Sequence, residues 1–404
     1  MAKSTLTSWL PAAPGNVFQR NKAIRRAAEE KGVKVINLSI GQPSGPALEL
    51  ACKATAKAVM SRDQNMHEYQ DNGCLPIPDF AKRFVRCHVG DCLDDVEGLG
   101  YLPIPGIKPM LGLIPLACGA VARDTPYLTV FTCTDPGYPT PAYWSEVYGS
   151  DISHVALKLS PDNGFLFTLD QITTEREVGR CLVMMNFPHN PSGRAMDEDW
   201  VRHVCGYCQQ RDIRLVNDAA YTLVTHESGH PTLAQIACQF PGLSWAEAFS
   251  ASKAGNFTGW RIGAMVGSAD FIDDIARIKG DADSGFAAFA AIGILEQLEN
   301  GMDEVKATQV LYHQRIRALI SILRPRGMKL AVTPQAGFFT LWQTPKMAFG
   351  QVITDAEHFN RLMLENTGVL GVPFNPYIRY AVVNDVLANA NGIAEAFDKA
   401  SVAY

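Results

Sequence analysis

The stretch AEAFSASKAGNFTGWRIGAMVG, residues 246–267, decides the fold. It holds two short apolar runs, AEAFSAS and IGAMVG, joined by a segment rich in Ser and Gly that carries Lys253 and Arg261. Each run reads as a strand, and neither alternates cleanly between apolar and polar residues, as a strand covered on both faces need not. Working outward, IRLVND (213–218), CLVMMN (181–186) and YLTVFTC (127–133) read the same way. Helix-period segments at 47–60, 79–88, 108–118, 197–211 and 270–279 lie around and between them. Alternation of this kind predicts an α/β protein: a three-layer α/β/α large domain with a mainly parallel sheet over residues 47–285.

Beyond residue 285 the pattern changes. A long helical stretch leads into the strand-like pieces MKLAVTP and GFFTLWQTP, a helix near 355–366, IRYAVV at 378–383 and a last helix. These predict a smaller α+β domain made of residues 286–404 together with the N-terminal 1–46, which have no sheet of their own. The cleft between two such domains is where a small-molecule site is expected.

Composition narrows the function. A chain of 404 residues with 47% hydrophobic and 19% charged residues can bury a large core. Its 36 basic and 41 acidic side chains leave a formal charge of -5 without a long basic run, which argues against nucleic acid as a partner. No apolar stretch reaches the roughly 20 residues of a membrane span, and the start MAKSTLTSWLPAAPG lacks a leader pattern, so a cytoplasmic protein with no membrane partner is expected. The ten cysteines are scattered and read as buried free thiols. Cys205 and Cys208 form a CxxC after His203, but no second ligand pair follows; VRHVCGYCQQR reads as a packed helix, and no metal site is expected.

Polar residues cluster just after the strands, where open parallel sheets place their ligands. Asn190 lies in NFPHNPSG, Asp218 and Tyr221 in VNDAAY, and Ser250, Lys253 and Arg261 in SASKAGNFTGWRIG. With VINLSIGQPSGP, HEYQDNG, PIPGIKPM, DPGYP and YIRYAVV, in that order along nearly the whole chain, they resemble the fold-type I pyridoxal-phosphate aminotransferases of the aspartate aminotransferase superfamily, class I/II.

The resemblance implies pyridoxal 5'-phosphate as cofactor, and each matched residue has a chemical reason for its role. Lysine is the side chain able to bond covalently to the cofactor aldehyde, and Lys253 is the match; in the family that amine also moves the substrate α-proton. Asp218 matches the carboxylate that keeps the cofactor ring nitrogen protonated, while Asn190 and Tyr221 match the pair on the phenolic oxygen. Pro191 and Gly193 restrict the backbone around Asn190, and His189 is read as a packing residue. Gly106, Ile107 and Lys108 open a predicted helix whose N–H groups suit a phosphate dianion, and Ser250 and Arg261 complete the cup. Tyr138 matches the aromatic that stacks on the ring. Tyr69 matches a tyrosine that reaches the neighbouring subunit's phosphate, implying a homodimer whose sites are completed across the interface. Arg379 matches the arginine for the substrate α-carboxylate, and Gly41 lies in the segment close to the substrate.

The reaction implied is amino transfer between an amino acid and a 2-oxo acid in two ping-pong half-reactions. The same fold supports a β-eliminating lyase or a non-catalytic cofactor-binding protein. Retention of Arg379, which would hold the carboxylate so that the α-hydrogen faces Lys253, favours transfer over decarboxylation. VINLSIG, GIKPM, GWRIG and DADSGF look most like the LL-diaminopimelate, alanine and aspartate aminotransferase subgroup, with LL-diaminopimelate and 2-oxoglutarate as the leading substrate pair. Gln42 and Ser44 depart from the acidic text of common relatives, and the loop before Arg379 lacks their glycine-rich stretch.

Overall fold

Trp245–Ser250 and Gly263–Ser268, the strands flanking Lys253, pair antiparallel with Ser250 opposite Gly263. The computed structural model describes residues 17–122, 127–172, 180–227 and 229–404. In it these strands belong to a seven-stranded sheet ordered Leu99–Ile104, Gly263–Ser268, Trp245–Ser250, Ile213–Asp218, Arg180–Met185, Leu128–Asp135, Ile152–Lys158. Every pairing from Trp245–Ser250 to Ile152–Lys158 is parallel; only Gly263–Ser268 runs against the rest. The mainly parallel sheet read from the sequence is what the protein forms.

Its central strands are buried on both faces because helices cover both. One face packs on a cluster that includes Phe84, Val183, Leu215 and Phe249, the other on a cluster around Met110, Leu182, Val216 and Phe271. The alternating side chains of Arg180–Met185 thus point into two different cores, which explains its unbroken apolar run. Helix Ala288–Asn300 joins the first of these clusters and packs against Glu49–Val59.

A second sheet, Val372–Phe374, Tyr377–Ala381 and Phe339–Gln343, is antiparallel and covered by helices including Met302–Leu323 and Ala390–Ala400. Near the N-terminus, Ile36–Asn37 pairs parallel with Val369–Leu370, and Asn21 of helix Val17–Glu30 donates from Nδ2 to Gly371 O at 2.8 Å. The core under this sheet reaches Tyr221 and Val224, just after the large-sheet strand Ile213–Asp218, so the two sheets meet beside Asp218.

One strand expected from the sequence does not form. MKLAVTP makes a single bridge, Leu330 to Trp342, because beyond Val332 the chain turns away and Gln335 and Ala336 donate instead to Gly193 O at 2.8 and 3.0 Å. Cys205 and Cys208 lie buried on helix Glu198–Gln210, and burial pushes the Cys205 thiol up to about 12. Among the described residues no helix is long and apolar enough to cross a membrane.

The sheet geometry next to Lys253 depends on a missing side chain. A Cβ at Gly263 would stand 2.4 Å from Phe249 O, across the antiparallel pair. Gly263→Ala is therefore expected to destabilise the protein by about 1–3 kcal/mol, the usual cost of overpacking. Urea titration checks this; a midpoint equal to that of the unaltered protein would show that the strands have slack here.

Candidate active site

Lys253 ends a single 3₁₀ turn, Ala251–Lys253, directly after the strand Trp245–Ser250. Ser250 starts that turn: its Oγ accepts from Ser252 N–H at 3.2 Å and lies 2.9 Å from Ser252 Oγ. The turn carries Lys253 off the sheet edge, where its Nζ donates to Gly41 O at 2.9 Å. Loss of hydration, then the positive charge of Arg379, lowers the lysine to about 8, with Asp218 opposing and Arg261 adding to the depression.

Asp218 ends the neighbouring strand and is nearly fully buried. Its carboxylate accepts one protein hydrogen bond among the described residues, from Ala220 N–H at 3.3 Å. Burial outweighs that bond and the Lys253 charge, and the acid is raised to about 7. A carboxylate so poorly supplied with donors suits a ligand that brings its own N–H.

Arg379 sits in the second sheet with no solvent exposure. Nη1 donates to Asn190 Oδ1 at 2.8 Å and Nη2 to Ser39 O at 3.3 Å, while Nε is buried with no partner. No carboxylate among the described residues pairs with this guanidinium; instead it lies against the rings of Phe339 (4.2 Å), Phe18 (5.3 Å) and Phe374 (5.4 Å). Burial lowers it to about 10. Arginine has only donors, so the Asn190 atom facing it must be oxygen, which leaves the amide nitrogen of Asn190 to donate elsewhere. Asn190 is itself placed by Asn186, whose Oδ1 accepts the Asn190 N–H at 3.1 Å and whose Nδ2 donates to Asp218 O at 3.0 Å. Gly193 takes φ +71, and a Cβ there would meet Pro334 Cβ at 2.7 Å, so this turn requires glycine.

Tyr221 is buried against Phe338 and Phe339, which raises its phenol. Tyr138 lies 6.3 Å from the Phe18 ring and is also raised by burial, while sensing both Asp218 and Arg261. At the other end of the cleft Gly106 caps helix Ile107–Ala117 with φ +77 and no side-chain cap, leaving the first N–H groups of that helix free of one. Arg261, itself at φ +60, leans over it and donates to Pro105 O at 3.2 Å and Thr258 O at 3.0 Å; a Cβ on Gly106 would lie 2.5 Å from its Nη2. Ile107 is buried, whereas the Lys108 side chain is exposed and only its backbone faces this cradle.

The residues named from sequence thus gather, with one exception. Gly41 links Lys253 to the Arg379 end, since a Cβ there would touch Nη2 of Arg379 at 3.5 Å. Tyr69 stands apart, 79% exposed. His189 is buried with Nδ1 2.7 Å from Ser192 Oγ, and burial depresses it to about 3, as suits a packing residue. Sequence reading missed Phe18, Ser39, Asn186, Phe338 and Phe339. Ser39 and Asn186 lay within the family-like motifs, and Phe338 and Phe339 within the strand-like GFFTLWQTP, but the aromatics carry no site signal without the fold.

A buried lysine, a donor-poor carboxylate, an arginine without a counter-ion and a glycine-capped helix define an enzyme of the lysine-centred amino-group transfer kind. Residues 33–380 match the aminotransferase class I and II family, and the chain belongs to it. It is similar to LL-diaminopimelate aminotransferases: 28% identical to that of Syntrophobacter fumaroxidans over 93% of this chain and 94% of the relative, and 29% identical to that of Halothermothrix orenii over 88% and 87%. Among solved structures it shares the fold of the aspartate aminotransferase from Rhizobium meliloti (TM-score 0.82, 21% identity, 99% of each chain). It also shares that of a probable N-succinyldiaminopimelate aminotransferase from Thermus thermophilus (TM-score 0.79, 24% identity, 94% of this chain and 100% of the other). The protein is a fold-type I transaminase.

The raised acid has a consequence for stability. An Asp protonated more readily in the folded state than in the unfolded chain destabilises the fold increasingly as pH rises from about 4 through about 7, and above that the full penalty, on the order of 4 kcal/mol, is present. In cofactor-free protein, Asp218→Asn should accordingly gain stability over the unaltered chain at pH 8 and gain none near pH 4. Urea titrations at the two values check this, and an equal difference at both would contradict the burial argument.

Proposed function

We propose that this transaminase holds pyridoxal 5'-phosphate in the cleft between its two sheets and transfers the amino group of LL-diaminopimelate to 2-oxoglutarate. The observation that carries the reading is Arg379: a fully buried guanidinium with an unpartnered Nε and no protein carboxylate beside it among the described residues. Burying an unpaired cation costs several kcal/mol, and the α-carboxylate of an amino or oxo acid offsets that cost with two parallel hydrogen bonds.

The same cleft fits the cofactor. Lys253 would hold its aldehyde, Asp218 its ring nitrogen, Asn190 and Tyr221 its phenolic oxygen, and Tyr138 its ring face. Gly106, Ile107, Lys108, Ser250 and Arg261 would hold its phosphate, at the helix N-terminus in the cleft where a missing Cβ leaves room. When bound, the cofactor supplies an electron sink for the charge left at the substrate Cα. Arg379 and Asn190 fix the substrate carboxylate, and Gly41 keeps the Lys253 amine close to that end. A lysine lowered to about 8 has a substantial neutral fraction near neutral pH, so Nζ can accept the proton from Cα and deliver it again. Asp218 would face the protonated ring nitrogen of the bound cofactor, whose positive charge would favour the ionised carboxylate.

The donor rests on the relatives named above and on the resemblance of GIKPM, GWRIG and DADSGF; a cytoplasmic location fits the chain's composition. A homodimer is supported by exposed Tyr69, near exposed Met60 and Leu75 in sequence.

Four measurements test the reading. Protein loaded with the cofactor should absorb in the visible, change on adding LL-diaminopimelate and revert with 2-oxoglutarate; if instead cysteine, which carries a β-leaving group, is turned over to pyruvate, ammonia and sulfide, that would indicate β-elimination. Lys253→Ala should end turnover. Arg379→Ala should weaken both amino and oxo acids by about 2–5 kcal/mol, and an unchanged Michaelis constant would remove Arg379 from the substrate. A panel of amino donors then decides the side chain, and another amino acid giving a higher specificity constant would displace LL-diaminopimelate.

A further inference from the structure

Lys279, near the end of helix Ala269–Gly280, is a lysine with no solvent exposure at its side chain. All three ammonium donors are used: to Asp283 Oδ1 at 2.7 Å, to Asp71 O at 3.0 Å and to Asn72 Oδ1 at 3.2 Å. Two of these partners lie in HEYQDNG and one in DADSGF, segments more than 200 residues apart. The same two segments meet through backbone as well. Gln70 and Asp71 N–H groups donate to Ser284 O at 3.1 and 3.0 Å, and Asn72 Nδ2 donates to Ala276 O at 2.9 Å. Gly285 permits this approach: at φ +95 a Cβ would stand 2.8 Å from Asp71 N and 2.9 Å from Gln70 Cβ. Asp283 Oδ1 also accepts Gly285 N–H at 2.8 Å, so one carboxylate oxygen fixes both the cation and the glycine.

On the other side the buried Gln70 side chain donates to Asn65 O and Glu68 O and accepts Leu75 N–H. Tyr69 is thus flanked by backbone tied down on both sides, while its own ring projects into solvent. Removing a lysine from water to order this loop gives the Tyr69 ring no burial within one chain, since it stays 79% exposed. Ordering in advance lowers the entropic cost of a contact made with another molecule.

We propose that Lys279, with Asp283 and Ser284, is a positioning residue that sets the Tyr69 loop so that the phenol meets the cofactor phosphate of a second copy of the chain. The proposal rests on the homodimer proposed above and on the family resemblance that matches Tyr69 to a tyrosine reaching the neighbouring subunit's phosphate, and it assigns DADSGF a role in the neighbouring site.

A double-mutant cycle on the cofactor dissociation constant of the dimeric protein separates the two ideas. Tyr69→Phe and Lys279→Met should each weaken cofactor binding about tenfold or more, as loss of a hydrogen bond to a charged group does, and the double variant should bind no more weakly than the worse single one. Should Lys279→Met not fold, Asn72→Ala, at an exposed position, removes one of the three ammonium contacts and takes its place in the cycle. An unchanged constant for Tyr69→Phe would overturn the Tyr69 reading and this proposal with it. A normal effect of Tyr69→Phe with additive losses in the double variant would overturn the role of Lys279 alone. In dimers mixing Lys253→Ala with Lys279→Met chains, the site that keeps Lys253 receives its loop from a chain with Lys279 intact, so its turnover should equal that of the unaltered site. Turnover matching the Lys279→Met homodimer would place the loop's action within one chain and sink the proposal.

Discussion

The cleft depends on a cation taken out of water and left without an anion. Arg379 is held by an amide oxygen and a backbone carbonyl, groups that orient a guanidinium but neutralise none of its charge. Its surroundings are aromatic faces, which attract it through their quadrupoles and keep water away. Burial lowers the amine of Lys253 and the Arg379 charge adds to that depression. One unpaired charge therefore prepares a carboxylate site and contributes to an available base. A carboxylate from the protein at this place would satisfy the arginine and remove its share of the lysine's depression.

Asp218 is the counterpart at the other end. It is raised for the same reason that Arg379 is lowered, and the two buried groups await opposite charges from ligands. In the proposed reading the cofactor ring nitrogen and the substrate carboxylate would carry those charges, so loading the cleft would relieve the cost of burial at both ends. The fold is built to keep these groups apart: Asp218 ends a strand of the large sheet and Arg379 lies in the small one, with Asn190 and Asn186 linking them through three successive hydrogen bonds.

Much of this was legible in the sequence, for identifiable reasons. Ile213–Asp218 coincides with the run IRLVND because Ile213 and Leu215 pack into one of the cores that cover the sheet and Val216 into the other, and Asp218 ends the strand. Arg379 was legible only through its motif; nothing in YIRYAVV states that it is fully buried. The edge strands escaped notice. Leu99–Ile104 contains Pro103, tolerable because this strand lies at the sheet margin, and Ile152–Lys158 is half exposed and mixed in character. Phe18 could not be found, because its place beside Arg379 and Tyr138 is set by a helix that belongs to neither motif.

What sequence reading could not reach at all is the support beneath the motifs. Asn217 and Glu247 alternate with the functional positions on their strands, point away from the cleft and are fully buried. Asn217 bridges Phe187 N–H and O at 2.8 Å each and donates to Glu247 Oε1 at 2.7 Å, while Glu247 Oε2 accepts Ala234 N–H at 2.7 Å at the start of helix Leu233–Ala237. Phe187 opens the turn that presents Asn190. A polar pair at core positions of two adjacent strands would ordinarily count against a buried sheet; here each atom is matched, and the pair fixes a loop that has no regular structure of its own. The position of Asn190, and through it of Arg379, is consequently set from the opposite face of the sheet, by residues no ligand would touch.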